Sequence, residues 1–390
     1  MINLTRNIFT ILAILLGAIS CVELVQLREF GTLKADNQSK NAGDIKHITY
    51  MDGSKQKIAS VKRYENENFQ EDRDRFNSRY KHRHNKFGRN RDRLRFLNRF
   101  KHIGRPSFNA GDRLSRKIWG VAYSPYRADG SCADYNTISK EVIAFSQFSK
   151  NIRLYSTDCN QLEYILRAIR ENQLPTGVYA GIWVSEGEQR AAKETSDFLK
   201  VFISNSDIVK GLSIGNEELF KNSMSEDKLI ETIQQIKLKI RSANVPYIPI
   251  YTTEVDSLFS RKLADSCDLV QTNVHSAFDD TFISIENSVD SVFNRILALK
   301  RRVGEDKMVR VGEAGYPSGG VYKSQPYSIK NQETYANNFI CKARRLGLEY
   351  FYFEAKDSMW KKKSRELEKN FGLYRGDFTR KFSINEAGLC

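Results

Sequence analysis

From Lys117 onward, short runs of β-branched and aromatic residues alternate with longer stretches whose apolar positions recur every three or four residues. The short runs are Trp119–Tyr123, Asn151–Tyr155, Gly177–Val184, Gly211–Ile214, Tyr247–Tyr251, Leu269–Asn273, Met308–Val311 and Tyr350–Phe353. Between them lie Ile138–Phe148, Leu162–Arg170, Ala191–Phe202, Glu226–Ile240, Ile283–Leu299 and Gln332–Leu346. The first set has the length and residue types of buried strands, and the second the period of helices. Regular alternation of the two builds βαβ units on a parallel sheet. Eight strands over residues 111–390 predict an α/β fold of the (β/α)8 TIM-barrel type, which usually takes about 250 residues. An open, doubly wound sheet is the alternative. No Gly-x-Gly-x-x-Gly follows the first run, which argues against dinucleotide binding.

Before the barrel the pattern breaks down. Met1–Arg6 carries one positive side chain, and Ile8–Ile19 is apolar without a charge. Ala18-Ile19-Ser20 then offers small residues at a cleavage site. This is the layout of a signal peptide over residues 1–20, too short for a membrane span. The expectation is a secreted, extracellular or cell-wall protein with no stable membrane anchor. Residues 21–110 form a basic leader or propeptide, with Arg, Lys, His and Asn crowded between Tyr64 and Arg105. Such a stretch buries too little apolar surface to offset its ordering entropy, so disorder is expected. Much of the net charge of +15 sits here rather than on the barrel, so a nucleic-acid partner is not expected. A tail that grips polyanions or wall polymer is the functional alternative. The one sequon beyond the signal segment, Asn37-Gln38-Ser39, also lies in the leader.

The six cysteines, at 21, 132, 159, 267, 341 and 390, lack the close pairing of a zinc site and leave any disulfide connectivity open. No metal-ligand spacing and no phosphate-binding loop are present, so no cofactor and no metal are expected.

Catalytic groups of such barrels sit at the C-terminal ends of strands. Two acidic residues stand there in glycine-containing turns: Gly215-Asn216-Glu217-Glu218 after the fourth strand and Gly312-Glu313-Ala314-Gly315-Tyr316-Pro317-Ser318 after the seventh. Two carboxylates across a barrel mouth are what retaining glycoside hydrolysis needs. Tyr123, Tyr126, Tyr155, Trp183, Phe220, Tyr251, Tyr316, Phe353 and Trp360 cluster at what the pattern reads as the same ends. Aromatic faces suit the apolar face of a sugar, and Tyr123, Tyr155 and Tyr316 are the chosen cleft residues. His275 and Glu354 close the sixth and eighth strands. Each is either a rim residue in a structural bond or a contact to substrate or to the carboxylate pair.

Those two motifs resemble the signatures of glycoside hydrolase family 17, the β-1,3-glucanases. Gly120-Val121-Ala122-Tyr123-Ser124-Pro125-Tyr126, Ile152-Arg153-Leu154-Tyr155-Ser156-Thr157-Asp158, Asn273-Val274-His275 and Tyr352-Phe353-Glu354-Ala355 look like its fungal cell-wall branch. The resemblance implies Glu217 as acid/base, Glu313 as nucleophile and Asn216 as a hydrogen-bond partner of a sugar 2-hydroxyl. The implied substrate is cell-wall β-1,3-glucan, with hydrolysis or transglycosylation as the outcome. Tyr316 departs from the tryptophan of many members, which bears on sugar affinity rather than chemistry. A low-activity structural wall mannoprotein of the same fold is the alternative function.

Overall fold

The computed structural model describes residues 45–52, 55–62, 117–279, 284–322, 325–362 and 364–384. The expected signal peptide, most of the leader, Asn37, Cys21 and Cys390 lie outside the described residues. The chain divides into two compact units, residues 1–89 and 90–390.

In the first unit, β1 (Ile45–Asp52) and β2 (Lys55–Lys62) pair antiparallel, from Ile45 opposite Lys62 to Asp52 opposite Lys55. The two residues between them are Gly53-Ser54. Glycine followed by a small residue is the sequence signal of a two-residue hairpin. Composition alone predicts no element here.

The second unit is a closed parallel barrel with strand order β12-β3-β4-β5-β6-β7-β8-β9. Its strands are β3 (Val121–Ala122), β4 (Asn151–Arg153), β5 (Gly177–Ile182), β6 (Val209–Asn216), β7 (Ile250–Val255), β8 (Val270–Asn273), β9 (Val309–Ala314) and β12 (Tyr350–Tyr352). All eight predicted strands are present. Between β9 and the last helix, β10 (Val321–Tyr322) and β11 (Gln325–Pro326) form a small hairpin.

Six predicted helices appear as α1 (Tyr135–Phe148), α2 (Gln161–Glu171), α3 (Glu188–Phe202), α4 (Glu226–Ser242), α6 (Ile285–Val303) and α7 (Ile329–Leu346). A seventh, α5 (Arg261–Ser266), escapes the periodicity argument because six residues span less than two turns. Side-chain caps start several of them: Asp134, Ser225, Ser260 and Ser328 each accept a backbone N–H three residues on. No eighth α-helix follows β12 among the described residues, only a single 3-10 turn over Glu366–Lys369. The segment after it makes isolated bridges, Lys356 with Tyr374 and Tyr374 with Arg380, and packs Tyr374 and Phe378 edge-on against Phe145 of α1, with Tyr374 also stacked on Phe148. A buried ion pair, Lys381 to Asp357 at 2.6 Å, fastens it.

The interior is layered. Arg310, Tyr179, Tyr251, Phe351 and Trp119 fill the N-terminal end. Ser213, Thr253 and Gln271 hydrogen-bond across the middle at 2.8–2.9 Å. Arg153, Asn216, Asn273 and Glu313 occupy the C-terminal end. Inward-pointing residues should alternate along each strand. Two irregularities break that alternation at the top. The register shifts on β6 between Ser213 and Asn216, where Gly215 takes φ +78°. On β9 it shifts at Gly312, whose missing Cβ leaves room for Asn273, Thr253 and Gln271, each within 3.0 Å of where that atom would sit. Both are bulges that re-aim the next side chain, so Asn216 and Glu313 turn inward.

Candidate functional site

Glu313 sits at the top of β9, 5% exposed. Arg153 Nη1 lies 3.0 Å from its Oε1 and the Tyr155 hydroxyl donates to the same oxygen at 2.9 Å. His275 Nε2 is 3.3 Å from Oε2. Arg153 and Tyr155 are two residues apart at the end of β4, so strand alternation points both inward. Burial alone would raise the Glu313 carboxyl. The His275 hydrogen bond, the Arg153 charge and the Tyr155 hydroxyl overcome it and hold the group down at about 2.

Glu217 meets the opposite treatment. It follows β6 in a left-handed conformation, φ +61°, a region non-glycine residues seldom occupy. Its N–H donates to Thr253 O at 2.8 Å, and Asn273 Nδ2 donates to its Oε1 at 2.7 Å. Burial raises its carboxyl, and the nearby negative charge of Glu313 raises it further. The Asn273 bond, Lys221 and His275 pull the other way without reversing the shift. The two glutamates are thus driven apart: one is kept ionised and the other tends to keep its proton. Such separation assigns acid and base roles in carboxylate pairs.

Asn216 joins the two halves. Its Oδ1 accepts from Arg153 Nη2 at 2.7 Å and from Asn273 Nδ2 at 3.2 Å. Arg153 and Asn273 are absent from the sequence-derived site. An arginine inside a strand, two residues before an inward tyrosine, was the available signal for the first. The second opens the motif that yields His275, two residues before it.

Tyr155, His275 and Asn216 therefore lie around the two glutamates. Glu354 is buried at the end of β12. Its Oε2 accepts from Ser358 at 2.8 Å, and burial pushes its carboxyl up to about 7. Glu218 turns away from the cleft, taking hydrogen bonds from Ser185 and the Asn216 N–H.

Two expected cleft residues are corrected. Tyr123 is 1% exposed, packs on Phe145, and donates its hydroxyl to Glu141 of α1 at 2.5 Å. Ala122 faces the interior beside Tyr179 and Phe351, so the next residue must face outward. Tyr316 is 3% exposed and stacks on Tyr335 of α7. It lies three residues beyond the inward Glu313, and the same parity turns it away. Tyr251 belongs to the N-terminal plug, not the rim. Of the other aromatics, Tyr126 and Trp360 pair at 5.1 Å, Lys221 Nζ lies 4.4 Å over the Trp183 ring, and Phe220 is 60% exposed.

Cys132 and Cys159 form a disulfide that ties the loop after β3 to the loop after β4. Cys267 and Cys341 are buried free thiols. Among the described residues, no group of three or more His, Cys, Asp or Glu side chains could hold a metal ion, and no helix is long and apolar enough to cross a membrane.

Known proteins share this architecture. The crystal structure of a glycoside hydrolase family 17 β-1,3-glucanosyltransferase from Rhizomucor miehei superposes with a TM-score of 0.60 at 22% identity, over 69% of this chain and 97% of that one. A β-1,3-glucanase and pollen allergen of Cryptomeria japonica gives 0.56 at 19%, over 70% and 100%. At such identities the likeness establishes the fold. The glucan endo-1,3-β-glucosidase btgC of Emericella nidulans is 25% identical over 295 residues, 68% of this chain and 45% of that protein. The chain spans less than half the length of the curated relatives it matches. The model of the BtgE/BtgC glycoside hydrolase domain matches residues 120–372, which takes in both glutamates and all eight barrel strands, and the chain belongs to that family.

Proposed function

We propose that this protein is a secreted, retaining glycosidase acting on β-1,3-glucan of the cell wall, with Glu313 as nucleophile and Glu217 as acid/base. The observation that carries the reading is the opposed electrostatics of the two glutamates. A nucleophile must be ionised before substrate arrives, and Arg153, Tyr155 and His275 keep Glu313 so. A general acid must hold its proton near neutrality, and burial beside a fixed negative charge favours that at Glu217.

In the first step Glu313 Oε attacks the anomeric carbon, forming a glycosyl ester. The glycosidic bond breaks as Glu217 gives its proton to the leaving oxygen. Once esterified, Glu313 no longer carries the charge that raised Glu217. The Glu217 carboxylate then takes a proton from water or from a sugar hydroxyl, which attacks the same carbon and frees Glu313. Water gives hydrolysis and a sugar gives transfer. Asn216, held by Arg153 and Asn273, is oriented to bond the 2-hydroxyl, a contact that strengthens in the oxocarbenium-like transition state.

The relatives' names support β-1,3-glucan as substrate class: a glucan endo-1,3-β-glucosidase, and a β-1,3-glucanosyltransferase whose active-site mutant is bound to laminaritriose. Incubation with linear β-1,3-oligosaccharides, followed by chromatography and NMR of the first-formed anomer, tests the proposal. Shorter or longer β-1,3 products with a β-configured new end are expected. An α-configured first product, or no turnover by well-folded protein, contradicts it. Secretion rests on the N-terminal segment of the sequence, and N-terminal sequencing of exported protein tests it.

A further inference from the structure

Tyr126 and Trp360 have no part in the mechanism above. Tyr126 stands on the loop after β3 and Trp360 on the loop after β12, and those two strands are neighbours in the closed barrel. The ring centroids are 5.1 Å apart and the planes meet at 58°, a corner rather than a stack. A filler of the seam between the two strands would be buried, as Phe351 of β12 is. Tyr126 and Trp360 instead keep part of their surface in solvent.

A line of contacts joins this corner to the nucleophile. His275, which lies against Glu313, meets the Phe353 ring edge-on at 5.2 Å. Lys361 Nζ is 5.0 Å from the centre of that ring and 5.5 Å from the centre of Trp360. Glu217 is on the other side of the mouth. It follows β6, four strands round from β12 in either direction. The acid gives its proton to the leaving oxygen, so the leaving group lies toward Glu217 and the glycone extends away from it. That direction leads to the loops after β12 and β3.

The corner is held in place before any sugar arrives. The Tyr126 backbone pairs with that of Cys132, and the Cys132–Cys159 disulfide fastens this turn to the loop after β4. From the same loop Asp158 accepts the Tyr126 hydroxyl at 2.8 Å, and Arg190 of α3 lies 3.2 Å from the Asp158 carboxylate. A ring fixed in advance gives up little freedom when a ligand settles on it.

We propose that Tyr126 and Trp360 form a glycone-side subsite. It holds a glucosyl unit beyond the one that is attacked, and so makes the length of the donor chain part of the specificity. Tyrosine and tryptophan suit that task, since each offers an apolar face to the C–H face of a sugar and a polar edge to its hydroxyls. The proposal rests on the reading of Glu217 as acid/base and Glu313 as nucleophile.

The test uses aryl β-glycosides whose glycone is one, two or three β-1,3-linked glucosyl units. The aryl group is the leaving group in each, so only the glycone grows. In wild type kcat/KM rises with glycone length. In Trp360→Ala, and likewise in Tyr126→Ala, the ratio of kcat/KM for the three-unit to the one-unit glycoside falls about tenfold, the scale of one aromatic contact. A wild type indifferent to glycone length overturns the proposal. So does an equal loss on all three glycosides, which leaves the ratio unchanged and the pair a structural brace. If neither variant folds, the indole N–H resonance of Trp360 decides, measured in Glu313→Ala protein. It shifts more with the three-unit glycoside than with the one-unit glycoside, and equal or absent shifts overturn the proposal. Wild-type turnover of these glycosides by Glu313→Ala would instead remove the underlying reading, and the two failures are distinct.

Discussion

The barrel carries an arginine–glutamate pair at each end, each built on a buried arginine, and the two pairs sit in different surroundings. At the N-terminal end Arg310 reaches Glu349 at 2.5 Å and is ringed by Trp119, Tyr179 and Tyr251. Its surroundings are aromatic, its partner is one-fifth exposed, and no donor besides Arg310 bonds that carboxylate among the described residues. At the C-terminal end Arg153 meets Glu313 inside a polar network of Asn216, Asn273, Tyr155 and His275. The lower pair closes the barrel, whereas the upper pair keeps a carboxylate charged in a place that burial would neutralise. The fold supplies the strand positions, and the neighbours decide whether an ion pair seals or reacts.

Exchanging each arginine for methionine separates the two roles. Arg153→Met should lower kcat/KM by about 10²–10³, the cost of removing one preorganised donor at a reacting centre. Its acid limb should also rise, because Glu313 loses the charge that keeps it ionised. Arg310→Met should destabilise the fold, by less than the roughly 3–5 kcal/mol of a fully buried pair because Glu349 keeps some contact with solvent, while activity per folded molecule stays near wild type. Denaturant melts paired with pH–rate profiles check both. Equal activity losses from both variants would break the comparison.

Glu354→Gln probes the cost of the upper end. Its carboxyl sits at about 7, raised from an ordinary 4.5. A raised group favours folding at low pH, and that contribution is lost as pH climbs from about 4.5 through 7. The variant should therefore melt like wild type at pH 4 and hotter at pH 8.5, by an amount equivalent to roughly 3 kcal/mol. A smaller effect is expected for Tyr155→Phe. Loss of one hydroxyl to Glu313 should cost about tenfold in kcat/KM, near 1.4 kcal/mol, and lift the acid limb. An unchanged limb would show that Tyr155 does not help hold the charge. Chelation should change nothing, since none of these steps calls on a metal. Loss of activity with EDTA, restored by a divalent ion, would count against the mechanism.

The alternating pattern of the sequence was enough for all eight strands and six helices, because each buried strand is a short apolar run and each helix shows one apolar stripe. It could not show α5, which is too short for a period, or the segment that replaces an eighth helix, which packs by Tyr374 and Phe378 rather than by repeat. The hairpin of Ile45–Asp52 and Lys55–Lys62 was hidden by its basic surroundings. At the site, motif and strand end located Glu217 and Glu313. Facing was the harder matter. Tyr123 and Tyr316 look like cleft aromatics until parity is counted from Ala122 and Glu313. Asn216 and Glu313 face inward only because bulges at Gly215 and Gly312 reset that parity, and a bulge leaves no plain mark in a pattern of apolar and polar positions.

The central claim, that environment divides the labour between Glu313 and Glu217, is met most directly by azide rescue of the two alanine variants on an activated aryl β-glycoside. Both should lose turnover of natural glucan, Glu313→Ala completely and Glu217→Ala by about 10²–10⁴ or more. In Glu217→Ala the glycosyl-enzyme still forms. Azide then enters the vacated space and attacks the ester-linked carbon, so a β-glycosyl azide is expected by NMR. In Glu313→Ala azide takes the nucleophile's place, attacks from the opposite face and yields the α-glycosyl azide. Exchanged products would reverse the two roles, and near-normal activity in both folded variants would move the chemistry away from this pair.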